Sequence, residues 1–192
     1  MLRLPMNWSN EFPQCEMTNP RVLVLPDWQG GAPSHWPRRW VDVHGYTLVQ
    51  QHDWQRPLRG DWLIQLEEAV LDAPGQVVLV AQGLGCALVA AWSAFSRHSA
   101  KVRAALLVSP LDVHLPALRE ILPSWSPAVQ PHLPFQVMVV AHAPQIETND
   151  AAPTLAAAWG AQCVLAPTDA SLTSTPCDWP WGHALLTELM KD

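Results

Sequence analysis

The sequence predicts an α/β fold, a three-layer sandwich in which a mostly parallel sheet carries helices on both faces. Three observations lead there. Four short apolar runs rich in β-branched residues read as strands buried on both sides: RVLVLP at 21–26, QVVLVA at 76–81, RAALLVS at 103–109 and QVMVVA at 136–141. Amphipathic segments separate them, the clearest being GDWLIQLEEAVLDA at 60–73. The alternation of strand and helix runs the length of the chain, which calls for right-handed crossovers on a parallel sheet.

Taken in order, residues 1–20 form an N-terminal extension, and the core runs from about 21 to 190 of one domain spanning 1–192. The first strand ends at Pro26 and gives way to a loop holding Asp27, Trp28 and His35. TLVQ at 47–50 is a weaker strand candidate. In 60–73, Leu63, Leu66 and Val70 recur on one helical face, while Gln65, Glu67 and Glu68 are expected to point outward. VVLVAQGLGCALVAAW at 77–92 reads as strand, sharp glycine-flanked turn and helix. Prolines concentrate in 110–134 and 167–180, which are therefore loops. The first of these follows a strand's carboxyl end, where open α/β sheets place ligand crevices. It serves either as a cap over a pocket or as a plain crossover with one short helix. CVLA at 163–166 is a second weak strand.

With 192 residues, 49% of them hydrophobic and 15% charged, the chain can bury one substantial core. A formal charge of -6 without a Lys/Arg cluster argues against a nucleic-acid partner. No long apolar tract or leader-like N-terminus is present, so no membrane partner and a cytoplasmic location are expected. Cys15, Cys86, Cys163 and Cys177 show no C-x-x-C pair, and the histidines show no ligand spacing. No metal or cofactor is expected, and the thiols are placed in or near the core. Eleven tryptophans spread through the sequence suit helix-to-sheet anchors.

Six segments in fixed order carry a family resemblance: VLVLPDWQGGAPSHWPRRW at 22–40, QHDWQRPLRGDWLIQLEEAV at 51–70, VLVAQGLGCALVAAW at 78–92, ALLVSPLDV at 105–113, LAAAWGAQCVL at 155–165 and DWPWG at 178–182. The chain resembles the small serine-hydrolase family of α/β-hydrolase fold, bacterial homologues of retinoblastoma-binding protein 9 among them. That resemblance implies a nucleophile elbow after the second strong strand, in an A-H-S-L-G-like turn. Here the turn reads Ala81-Gln82-Gly83-Leu84-Gly85, with glycine where the serine belongs. The family's acid falls at Pro144 in His142-Ala143-Pro144-Gln145, and its base falls near Ser171. The resemblance thus aligns three triad positions with residues that cannot perform triad chemistry.

Several alternatives follow from the residues. One oxyanion donor is expected to be the Leu84 N–H and another to lie near Trp28. Asp27 stands where the family has glycine, and its carboxylate either fills the hole itself or turns to solvent. Ser109 and His142, both at strand ends, with Asp112 as the acid, form a conceivable displaced triad. Cys86, one turn into the helix, points into packing. His35 and His52 are read as loop-holding residues. Gly83-Leu84-Gly85 is only a fragment of a dinucleotide fingerprint, and it does not follow the first strand. The expectation is a degenerate α/β-hydrolase that binds a small molecule or a protein partner in the residual crevice. The alternative is an esterase or amidase acting through the Ser109, His142 and Asp112 site, and a third reading is a partner surface built on Trp28, Trp36 and Trp125.

Overall fold

The computed structural model describes residues 19–127, 132–142, 151–167 and 178–191. Six strands form one sheet: β1 Arg21–Leu25, β2 Thr47–Leu48, β3 Val77–Gln82, β4 Val102–Val108, β5 Gln136–Ala141 and β6 Gln162–Leu165. Their order is β2-β1-β3-β4-β5-β6, and every pairing is parallel. The four strong apolar runs are therefore adjacent at the centre, and the two weak ones are the edges. This follows from solvation, since only a strand covered on both faces can be apolar at every position.

Side chains alternate between the two faces of the sheet. Leu23, Leu25, Leu79, Ala81, Leu107 and Val139 enter the cluster beneath α2 (Arg59–Leu71), α3 (Leu84–Phe95) and α5 (Ala152–Trp159). Val22, Val24, Val78, Val80, Leu106 and Val140 enter the other, beneath α1 (Trp36–His44) and α6 (Pro180–Leu189). The remaining helix, α4 (Pro116–Ile121), is a short element in the proline-rich crossover after β4.

The tryptophans behave as anchors. Trp36, Trp40 and Trp179 pack together between α1, α6 and the sheet, with Trp40 Nε1 donating to the Asp178 carbonyl at 2.7 Å. On the other face Trp62 meets Trp54 and Trp125 edge-on, and Trp125 Nε1 donates to the Pro57 carbonyl at 2.9 Å. Trp36 is wholly buried and Trp125 nearly so, which removes them from any partner surface. Each large ring gains more free energy from burial when its one polar atom finds an acceptor inside.

Two further expectations change. Glu67 is partly exposed but leans toward α3, where Trp92 Nε1 and Ser96 Oγ donate to its Oε2 at 2.6 and 2.7 Å. A periodicity argument sorts residues by hydrophobicity and cannot see donors on the next helix. Cys163 lies exposed on the edge strand β6, while Cys86 is buried as expected. Cys15 and Cys177 lie outside the described residues. Among the described residues no helix is long and apolar enough to cross a membrane.

Candidate functional site

Strand register determines what meets at the carboxyl edge of the sheet. Leu25 pairs with Ala81, Ala81 with Leu107 and Leu107 with Val139. Continuing each strand past that row brings Asp27, Gly83, Ser109 and His142 to neighbouring strand ends. Backbone bonds hold the row: Gly83 N–H donates to the Val108 carbonyl, Leu111 N–H to the Gly83 carbonyl and Ser109 N–H to the Val140 carbonyl.

Gly83 has φ 54° and ψ -117°, in the left-handed half of backbone space, and directly precedes α3. A side chain there carries strain of about 1–3 kcal/mol, and glycine removes it. The turn thus has a strand–turn–helix geometry with glycine at its centre. Close approach also requires glycine two residues on, where a Cβ on Gly85 would stand 2.7 Å from the Leu25 carbonyl oxygen. This lets α3 start directly above β1.

Asp27 takes up what the elbow leaves open. Its Oδ1 accepts the Leu84 N–H at 2.7 Å and the Trp28 N–H at 2.8 Å. Those are the two N–H groups expected above as oxyanion donors, and both are engaged by the carboxylate. It also occupies the space that a side chain at position 83 would take, because a Cβ built on Gly83 would collide with the Asp27 carboxyl carbon and both its oxygens. Burial pushes the Asp27 carboxyl above its ordinary range, against the pull of the two N–H bonds and of the His35 charge. The N-terminus of α3 adds a favourable dipole for the ionised form. Sequence reasoning anticipated the bond to Leu84 but not the collision with Gly83. The pairing of a glycine at the elbow with an aspartate two residues beyond β1 is the signal that could have revealed it.

Ser109 and His142 are also brought together, with Oγ and Nδ1 2.7 Å apart. Ser109 has φ 46°, one of three non-glycine residues with positive φ among those described. Asp112 does not join them as a triad acid: its Oδ1 accepts the His114 N–H at 2.9 Å, a local turn contact. An Asp this short satisfies its own backbone before it can reach across a sheet edge. Cys86 is fully buried, its Sγ directed at the Ala81 carbonyl, and burial pushes the thiol well above its ordinary range. That is the opposite of an activated thiolate. Pro144 and Ser171 lie outside the described residues. Among the described residues no group of three His, Cys, Asp or Glu side chains could hold a metal ion.

A parallel sheet sandwiched by helices, with an elbow after β3 and two backbone donors aimed at one point, defines the α/β-hydrolase fold. Solved structures agree. A YdeN-like hydrolase from Pectobacterium atrosepticum superposes with TM-score 0.72 at 15% identity, covering 89% of this chain and 90% of its own. The ydeN gene product of B. subtilis gives 0.69 at 19% identity, covering 90% and 100%. An α/β-hydrolase enzyme, MGS-MChE2, from the metagenome of lagoon sediments at Mar Chica, Morocco, gives 0.58 at 13%, covering 91% of each chain. Residues 22–188 match the serine hydrolase family, and the chain belongs to it. No curated protein sequence matches it.

Proposed function

We propose that this member of the serine hydrolase family has given up serine chemistry at its elbow and uses the residual crevice to bind a small molecule or a protein partner. One observation carries the reading: the Asp27 carboxylate holds both oxyanion donors and covers the space that a serine side chain at position 83 would need. An acyl-transfer site needs an empty hole, because its donors act on charge that appears only in the transition state. Here a charge is already in place. An ester carbonyl would have to displace it, and Gly83 carries no hydroxyl to attack.

The test is fluorophosphonate labelling of the purified protein, together with hydrolysis of p-nitrophenyl acetate. The expected result is no label and no rate above heat-denatured protein. Stoichiometric labelling would sink this reading.

The hydrogen bond between Ser109 and His142 favours a second reading, in which an esterase works from the end of β4. Against it, Asp112 is engaged elsewhere, and Pro110 offers no N–H where a hole beside Ser109 would want one. Fluorophosphonate found on Ser109 by peptide mapping, and lost in S109A, would establish it.

A further inference from the structure

We propose that the amino edge of the sheet holds a second ligand site, a groove that takes a small polar molecule by its carboxylate or phosphate group. It lies at the opposite end of the strands from Asp27 and Gly83, and it goes beyond the binding role proposed above without depending on it. Because the strands are parallel, β1, β2 and β3 begin on one edge, and Arg21, Thr47 and Gln76 stand at or just before their first residues. A groove of about 410 Å³ opens among them, with Asn19 beside Arg21 and Tyr46 as an aromatic wall. That volume falls in the range of small-molecule sites.

The lining says what kind of molecule fits. Most ligand pockets are largely apolar, whereas this one is mainly polar. Asn19, Arg21, Thr47 and Gln76 each bring a side-chain donor, and none of the four uses it on another part of the protein among the described residues. No Asp or Glu lines the groove, although the chain carries a formal charge of -6. Several unused donors, one of them a permanent cation, with no fixed anion to meet them, match an oxyanion. The guanidinium fork pairs with two oxygens of a carboxylate or phosphate, and the neutral donors take the rest. A cationic ligand would meet Arg21 with no carboxylate to offset it.

One feature of the setting opposes an anion. The groove lies near the C-terminal ends of α1 and α2, whose last carbonyls carry partial negative charge. Both ends are capped. Lys101 Nζ donates to the Leu71 and Ala73 carbonyls at 3.3 and 2.8 Å, and the Gly45 N–H donates to the Val41 carbonyl at 3.1 Å. Lys101 thereby adds positive charge to this edge, where Arg103 also lies near the start of β4. The frame is held in place as well. The Arg21 N–H donates to the Gln76 carbonyl at 3.0 Å, and Tyr46 Oη is 2.8 Å from His183 Nε2 on α6.

The experiment titrates the full chain calorimetrically with glucose 6-phosphate, citrate and glucose at low ionic strength, because salt screens exposed charges. Amide shifts of the 15N-labelled protein locate the binding. At least one of the two anions should bind with a dissociation constant of about 1 mM or below, while glucose should not bind at about ten times that concentration. The amides of Arg21, Thr47 and Gln76 should move. Binding of glucose 6-phosphate alone assigns the phosphate, of citrate alone the carboxylate, and of both the shared oxyanion chemistry. Arg21→Gln, at an exposed position, should keep the parent's circular dichroism spectrum and lose about tenfold or more in affinity, the scale of a hydrogen bond to a charged group. Neither anion binding, glucose binding as tightly as its phosphate, R21Q binding like the parent, or shifts confined to the Leu84 and Trp28 amides would overturn the proposal. Fluorophosphonate labelling tests the loss of serine chemistry separately, so the two ideas can fail independently.

Discussion

Two carboxylates in this protein each collect several hydrogen bonds and end with opposite electrostatics. Glu67, on α2, receives Trp92 Nε1 at 2.6 Å and Ser96 Oγ at 2.7 Å on one oxygen and His98 Nδ1 at 2.6 Å on the other. Burial pushes its carboxyl up, yet the bonds from Ser96, His98 and Trp92 together hold it below the ordinary range. Asp27 receives two backbone N–H groups on one oxygen only, and burial wins. Glu67's partners are side chains that settle around the charge. Asp27's partners are amides fixed by the elbow and by the loop after β1. The first is a staple between α2 and α3. The second is a carboxylate seated on two backbone donors beside the start of α3.

The largest expected effect tests that seat. Gly83→Ser puts a side chain at φ 54° and drives its Cβ into the Asp27 carboxylate. Strain and overpacking together should cost about 2–5 kcal/mol. Urea denaturation should show this as a lower midpoint, and the variant should stay inert toward p-nitrophenyl acetate. G83S combined with Asp27→Gly should be less destabilised than the two singles sum to, because the collision is gone. A fully stable, active G83S would mean that Asp27 moves aside freely, and the comparison with Glu67 would lose its basis.

Next in size is the staple. Glu67→Ala removes a charged acceptor from Trp92, Ser96 and His98 and should cost about 2 kcal/mol, the scale of hydrogen bonds to charged groups. D27N should be as stable as the parent at neutral pH, or more so, since the neutral form is the one its burial favours. Equal losses in E67A and D27N would break the contrast.

The two sites should also respond to pH with opposite signs. Asp27 binds its proton more tightly folded than unfolded. Its contribution to stability is therefore full below its ordinary value of 3.8 and is lost as pH rises through the raised folded value. Glu67 binds its proton less tightly folded, so its contribution is present above its ordinary 4.5 and is lost as pH falls through the depressed folded value. Subtracting the D27N and E67Q stability curves from the parent's should give slopes of opposite sign across this acid range. Parallel slopes would show that one assignment is wrong.

What the sequence disclosed divides along the same line. Apolar runs such as 76–81 and 103–109 specify central strands, because burial on both faces leaves a mark at every residue. The elbow and the Leu84 donor were legible too, since a strand-turn-helix with glycines has one backbone solution. The Asp27 bond to Leu84 could be foreseen as one of two alternatives from its position after β1. Glu67 was misread because its partners come from another helix about thirty residues on, and polarity alone says outward. The failure of Asp112 to reach His142 was illegible for a related reason. The local backbone N–H of His114 claims the Asp112 carboxylate, and pattern does not record such contests.

The smallest expected effect concerns Ser109, where a side-chain bond opposes a backbone cost. Its hydroxyl bonds His142 Nδ1 at 2.7 Å while its φ of 46° carries the strain that glycine would not. Ser109→Ala keeps the strain and loses the bond, so it should cost about 1 kcal/mol. Ser109→Gly loses the same bond but relieves the backbone by about 1 kcal/mol, so the two effects should nearly cancel. The order parent near S109G, with S109A below both, is the signature of a strained residue retained for its side chain. Thermal melts of the three proteins at one pH would check it. If S109A matched the parent, the Ser109–His142 bond would contribute nothing to stability, and only its chemistry would remain as a reason for the strain.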